Sequence, residues 1–112
     1  MNASEPVIIH PQRLRQGASR AVAALKLLAN EDRLLLLCQL SQGELCVSEL
    51  EAQLAIRQPT LSQQLGVLRT EGVVTTRRQG KHIYYSVADP ALLDILALLY
   101  RLYCPHTPPK ET

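Results

Sequence analysis

The chain has 112 residues, 46% of them hydrophobic, which is enough for one small core and too little for a second domain. With no Trp, no Phe and five Gly, that core has to come from Leu, Val, Ala and Ile, a composition that favours helices over a sheet fold. The net charge of +2 is small, but its distribution is uneven: residues 57–82 carry Arg57, Arg69, Arg77, Arg78 and Lys81 against Glu71 alone, a local excess of +4, while the rest of the chain sums to −2.

Residues 1–11 read as a disordered tail, with Glu5 preceding any basic residue and no uninterrupted apolar stretch of a secretory signal. No apolar run approaches the roughly 18 residues of a membrane span. A cytoplasmic location without membrane association is therefore expected, with Cys38, Cys46 and Cys104 as reduced thiols. From residue 12 to 29 the pattern is helical, with Ala18, Ala21, Val22, Leu25, Leu28 and Ala29 forming one stripe. Asn30 suits the cap of a second helix, and Glu31 and Asp32 fall in its first turn, where the dipole favours anions. That helix, residues 31–40, contains Leu34-Leu35-Leu36-Leu37-Cys38 and is apolar all round, so burial on most sides is expected. Gly43 suits a left-handed position after it.

A third helix opens at Cys46-Val47-Ser48-Glu49 and runs to Leu54, with Glu49 where a capping-box acid belongs and a thiol at the cap position. After a turn at Ala55-Ile56-Arg57 comes a fourth helix, residues 58–69, with Pro59 at an early position where its missing N–H is harmless. Leu61, Leu65 and Leu68 share one face of this helix, while Thr60, Ser62, Gln63 and Gln64 lie elsewhere, with no carboxylate before Glu71. Such a face suits a DNA groove: phosphates repel carboxylates, whereas Gln, Ser and Thr pair with base edges and backbone oxygens. The plain alternative for this helix, taken alone, is an amphipathic surface helix. Helix, short turn and polar-faced helix together make a helix-turn-helix.

Beyond Glu71-Gly72 the period changes from 3.6 to 2, giving strands at residues 73–78 and 81–87 around a tight turn at Gln79-Gly80. Arg77, Arg78, Lys81 and His82 flank that turn, so the hairpin reads as a basic wing following the helix-turn-helix. Asp89-Pro90 caps a last helix holding Leu92, Leu93, Ile95, Leu96, Leu98, Leu99, Leu102 and Tyr103. These are more apolar residues than one stripe carries, and the economical use of the second face is a homodimer seam with the N-terminal helix. Cys104-Pro105 ends the helix, and residues 105–112 read as a tail. The expected fold is mainly α, a winged helix of order α-α-α-α-β-β-α with a two-stranded wing, in one domain over residues 12–104.

Several of these stretches resemble the ArsR/SmtB family of dimeric winged-helix repressors, over about residues 18–105. Leu27-Leu28-Ala29-Asn30-Glu31-Asp32-Arg33-Leu34 resembles the family's entry to its second helix, Ser62-Gln63-Gln64-Leu65 its recognition-helix signature, and Gly80-Lys81-His82-Ile83-Tyr84-Tyr85 its wing. One departure is Arg57, where many members carry a capping Ser; Gln58 is left to cap the recognition helix. The resemblance implies binding to a pseudo-palindromic duplex operator as a homodimer. The contacts would come from Gln58, Thr60, Ser62, Gln63, Gln64 and Arg69 on the recognition helix and Arg77, Arg78, Lys81 and His82 on the wing.

Within the family the cysteines separate subclasses. The arsenic-type Cys-Val-Cys run is here Cys46-Val47-Ser48, and the zinc-type Asp-x-His pair is here Asp94-Ile95-Leu96, so both familiar metal sites are incomplete. The remaining Cys38 and Cys104, with their flanks Leu34-Leu35-Leu36-Leu37 and Leu102-Tyr103, resemble the dithiol of the BigR/SqrR/HlyU-type sulfur and redox sensors. That resemblance implies a persulfide or oxidant as inducer, bridging of the pair, and release of DNA, with no cofactor and no metal. Sequence alone does not pair the thiols, and a lone cysteine in an apolar helix is ordinarily a small core residue. Two rivals stay open: a thiolate metal or metalloid sensor using Cys46 and Cys104 with His106 or His10, and a winged-helix module that binds protein only. An enzyme is not expected, since no Ser-His-Asp set, paired carboxylates or Gly-rich phosphate loop is present.

Overall fold

Pro11 stands at the start of an 18-residue helix, α1 (Pro11–Leu28), where its missing N–H breaks no hydrogen bond. The computed structural model describes residues 6–105, so residues 1–5 and 106–112 of the tails expected at 1–11 and 105–112 lie outside the described residues. The expected tail boundary at residue 11 is corrected, because Pro11 already belongs to the helix. The stripe expected on α1 lies mostly outside this chain's own core. Ala24, Leu27 and Leu28 meet the core, while Val22 and Leu25 are exposed, Leu25 at 62%. Apart from Leu28, the stripe faces away from the core, which α1 reaches only near its C-terminal end through Ala24, Leu27 and Leu28.

Asn30 caps α2 (Glu31–Leu40), its side-chain oxygen accepting from the Arg33 backbone N–H at 3.0 Å. Leu36, Leu37 and Leu40 are fully buried, so α2 forms the centre against which α4 and α5 pack. Gly43 takes φ 149°, a conformation that side-chain-bearing residues rarely adopt. The turn delivers the chain to β1 (Leu45–Cys46), then α3 (Val47–Leu54) and α4 (Thr60–Thr70). Ala55 ends α3 in the left-handed region at φ 56°.

The wing is β2 (Val74–Gln79) and β3 (His82–Val87), antiparallel in a register running from Val74↔Val87 to Gln79↔His82. The turn is therefore Gly80-Lys81, one residue later than expected, because Gly80 at φ 62° fills the first loop position and Gln79 pairs across to His82. β1 pairs with the other edge of β3 through Leu45↔Tyr85 and Cys46↔Tyr84, making a three-stranded sheet of order β1-β3-β2. The observed order is thus α-α-β-α-α-β-β-α. The extra strand has two residues, too few to show a period of 2, and it satisfies backbone groups that β3 would otherwise expose.

Asp89 caps α5 (Pro90–Tyr103) by accepting from the Ala91 N–H at 2.9 Å. One continuous cluster joins Leu27, Leu36, Leu50, Leu61, Leu65, Leu68, Tyr85, Leu92 and Leu96, so the helix-turn-helix, wing and flanking helices share a single core. No helix among the described residues is long and apolar enough to cross a membrane.

Candidate nucleic-acid interface and thiol pair

Three leucines orient α4. Leu61, Leu65 and Leu68 are buried against α2 and the rest of the core, which turns Ser62 and Gln63 outward. Thr60 and Gln64 sit half-buried at the margin of that face. Pro59 occupies the cap position rather than a helical one, and Gln58 does the capping: its Oε1 accepts from the Ser62 backbone N–H at 3.1 Å. The exposed Gln58, Ser62 and Gln63 therefore group around the N-terminus of α4, an end that recognition helices commonly point at base edges. Arg69 is not part of that group. It is exposed in the last turn, nine residues from Thr60 and about 13 Å along the axis, where its charge complements the helix dipole.

The wing cations divide into two kinds. Arg78, Lys81 and His82 are exposed at the tip, and among the described residues Arg78 reaches only the Gly80 carbonyl, at 3.5 Å. Arg77 is engaged: its Nε donates to both Glu44 oxygens at 3.1 and 3.2 Å, its Nη1 donates to Gln79 Oε1 at 2.7 Å, and its guanidinium lies 5.0 Å from the Tyr84 ring centroid. The hydrogen bond from Arg77 holds the Glu44 carboxyl below its ordinary value. Glu44, just before β1, is thus a partner of the wing that sequence reasoning missed. Its signal was faint: one acid after Gly43, 33 residues from the arginine it binds.

Arg33 is the other missed residue. Its Nε donates to Leu27 O at 2.7 Å, Nη2 to Lys26 O at 3.1 Å and Nη1 to Gln64 Oε1 at 3.3 Å. One half-buried guanidinium joins the end of α1, the first turn of α2 and the recognition helix. The available signal was a single cation directly before a run of four leucines.

The three thiols occupy two sites. Cys46 is buried at the cap of α3, where its N–H donates to Glu49 Oε1 at 3.0 Å and its Sγ lies 3.3 Å from Ser48 Oγ. That hydrogen bond holds the Glu49 carboxyl below its usual range. Cys46 shares a shallow cleft with Lys81, His82 and Tyr85 at the base of the wing. Cys38 is half-buried on α2 beside a cleft lined by Leu93, Leu96, Ala97 and Tyr100 of α5. Burial pushes the Cys38 thiol up, and the nearby Cys104, half-buried at the C-cap of α5, pushes it further. Both are free thiols. Among the described residues no three His, Cys, Asp or Glu side chains group around a common point. His10 is the uncapped entry to α1, and His106 lies outside the described residues.

A helix-turn-helix with an outward polar helix, followed by a basic hairpin, defines the class: a winged helix-turn-helix regulator that binds duplex DNA. The family model for bacterial regulatory proteins of the arsR family matches residues 30–76. The chain is 50% identical over 91 residues to the biofilm growth-associated repressor of Agrobacterium fabrum, covering 81% of this chain and 78% of that protein. The structure of the transcriptional repressor BigR from Xylella fastidiosa superposes with a TM-score of 0.82 at 41% identity, covering 88% of this chain and 100% of that one. Reduced HlyU from Vibrio cholerae gives 0.78 at 39% identity, covering 84% and 99%. The chain belongs to the arsR family.

Proposed function

We propose that this protein is a homodimeric repressor that releases a pseudo-palindromic operator when Cys38 and Cys104 are bridged by a persulfide or an oxidant. The observation that carries the sensing half is that Cys38 faces α5 across the cleft lined by Leu93, Leu96, Ala97 and Tyr100, with Cys104 at the C-cap of that same helix and its charge adding to the upward push on the Cys38 thiol. The repressor half draws on the kinship with two proteins named as repressors and on the outward face of α4. Leu14, Val22 and Leu25 on α1 and Leu98, Leu102 and Tyr103 on α5 leave apolar surface uncovered in one chain, Leu102 at 61% exposure, which supports a second copy as its cover. A dimer then presents two α4 helices to successive major grooves, about 34 Å apart, with the wing tips toward flanking phosphates.

The chemistry balances without a cofactor. Burial disfavours the Cys38 thiolate, so in this scheme Cys104 attacks first, taking the outer sulfur of a persulfide RSSH and releasing RSH. Cys38 then gives up its proton and attacks the Cys104 sulfur, forming the disulfide and expelling hydrogen sulfide. Two thiols are oxidised, and the persulfide is reduced to thiol and sulfide. If both cysteines first become persulfides, attack of one on the other expels one sulfide and leaves a trisulfide. With peroxide the intermediate is a sulfenic acid and water leaves. Either bridge ties α2 to the end of α5 and shifts the α4 helices of the dimer relative to each other. A shift worth about 1.4 kcal/mol lowers affinity tenfold.

The test uses duplex DNA selected by the reduced protein from a randomised pool. Persulfide treatment is expected to release it, with loss of two free thiols and a bridged mass. Cys38→Ser and Cys104→Ser proteins are expected to bind and stay bound; release from either by persulfide refutes the scheme. Release of DNA by a stoichiometric metal in the Cys38→Ser protein would favour a thiolate metal sensor at Cys46 and Cys104.

A further inference from the structure

We infer that Arg33 is a positioning residue for DNA recognition, drawing the Gln64 oxygen of α4 toward itself so that the Nε2 amide leads toward DNA as a donor. The inference rests on α4 being the DNA-reading helix.

A guanidinium carries only donors, so the Gln64 amide has to turn its oxygen to Arg33. The amide orientation follows from the chemistry of the partner. The Nε2 amide, with two N–H groups, is left wholly free for DNA. A free glutamine reads adenine bidentately, accepting from N6 and donating to N7. A glutamine whose oxygen is held by Arg33 keeps a second lone pair but cannot swing that oxygen freely to the base edge, so the bidentate pair is disfavoured and the donor contact favoured. Its complements are guanine O6 or N7, thymine O4, or a phosphate oxygen.

Arg33 is itself held from two further directions, by Leu27 O at 2.7 Å and Lys26 O at 3.1 Å at the end of α1. Its backbone is fixed by the Asn30 cap. A fork anchored on three sides has few rotamers left, and it passes that restriction to Gln64. Lysine has the charge but not the planar fork, and cannot reproduce this.

The experiment measures affinity and base preference of Arg33→Met, Arg33→Lys, Gln64→Ala and the Arg33→Met/Gln64→Ala double variant. The probes are the duplex selected by the wild-type protein and its single-base replacements, over a range of salt. Each single variant is expected to lose about tenfold in affinity for the selected duplex, and the double variant no more than either one. Arg33→Met is expected to gain tolerance for adenine at the half-site position where Gln64→Ala loses discrimination, with a salt slope equal to wild type. A merely structural role would lower the melting temperature and weaken all duplexes alike, leaving base preference unchanged, and that result overturns the inference. So does additivity in the double variant, or a salt slope shallower by about 0.9 per site, which would make Arg33 a phosphate contact. Should Arg33→Met fail to fold, Arg33→Lys carries the same comparison. Gln63→Ala serves as the control for α4 itself. If it weakens binding while the Arg33 and Gln64 variants do not, the inference alone falls; if none weakens binding, the reading of α4 falls with it.

Discussion

Replacing Glu44 by alanine should make DNA binding by this protein more sensitive to salt, not less. In the free protein Arg77 donates from Nε to both Glu44 oxygens at 3.1 and 3.2 Å, so one wing cation is neutralised by an acid of the same chain. The Glu44 carboxyl is held below its ordinary pKa by that bond and stays ionised through the neutral range. Glu44→Ala removes the competitor and leaves Arg77 over the Tyr84 ring, 5.0 Å from its centroid, free to take a phosphate. Each additional phosphate neutralised steepens the dependence of log affinity on log salt by about 0.9, hence by about 1.8 for the two wings of a dimer. Between 50 and 200 mM salt the variant should therefore lose about tenfold more affinity than wild type, and it should bind more tightly at the low end. Fluorescence anisotropy with a labelled duplex across that range reads both quantities. An unchanged slope would mean that Arg77 does not reach phosphate even when released. A shallower slope would mean that the clasp orients the wing, with Arg77 acting through Glu44 rather than being masked by it.

Two further outcomes follow from burial. Closing of the Cys38–Cys104 bridge should accelerate about tenfold per pH unit through the neutral range and still be rising at pH 9.0, because burial and the Cys104 charge raise the Cys38 thiol above its ordinary value of 9.0. Stopped-flow thiol titration checks this, and a plateau below pH 8 would contradict it. Leu36 is completely buried at the centre of the core, so Leu36→Ala should cost about 2–5 kcal/mol, read from urea unfolding at matched protein concentration.

Local rules carried much of this fold because the elements are short and cleanly marked. Asn30 and Asp89 announce helix starts through side chains that bond their own first turns. Leu61, Leu65 and Leu68 declare the buried face of α4 by spacing alone, and that fixes which of its polar residues point outward. The change of period after Gly72 locates the wing, with its turn displaced by one residue because only glycine accepts φ 62° without cost.

The sequence by itself determined the order of helices, the polar face of α4, the basic wing and the three thiols, since each depends on residues within a turn or a hairpin of one another. Tertiary structure alone decided what meets across distance. It set Arg77 on Glu44 and Arg33 on Gln64, pairs 33 and 31 residues apart, and added β1 at the free edge of β3. It also set Cys38 beside α5, the helix that Cys104 ends, while Cys46 is buried as a helix cap. Hydrophobic periodicity states which side of an element is buried but not which element it meets. A charged or thiol side chain takes its function from that neighbour, which is chosen only when the whole core closes.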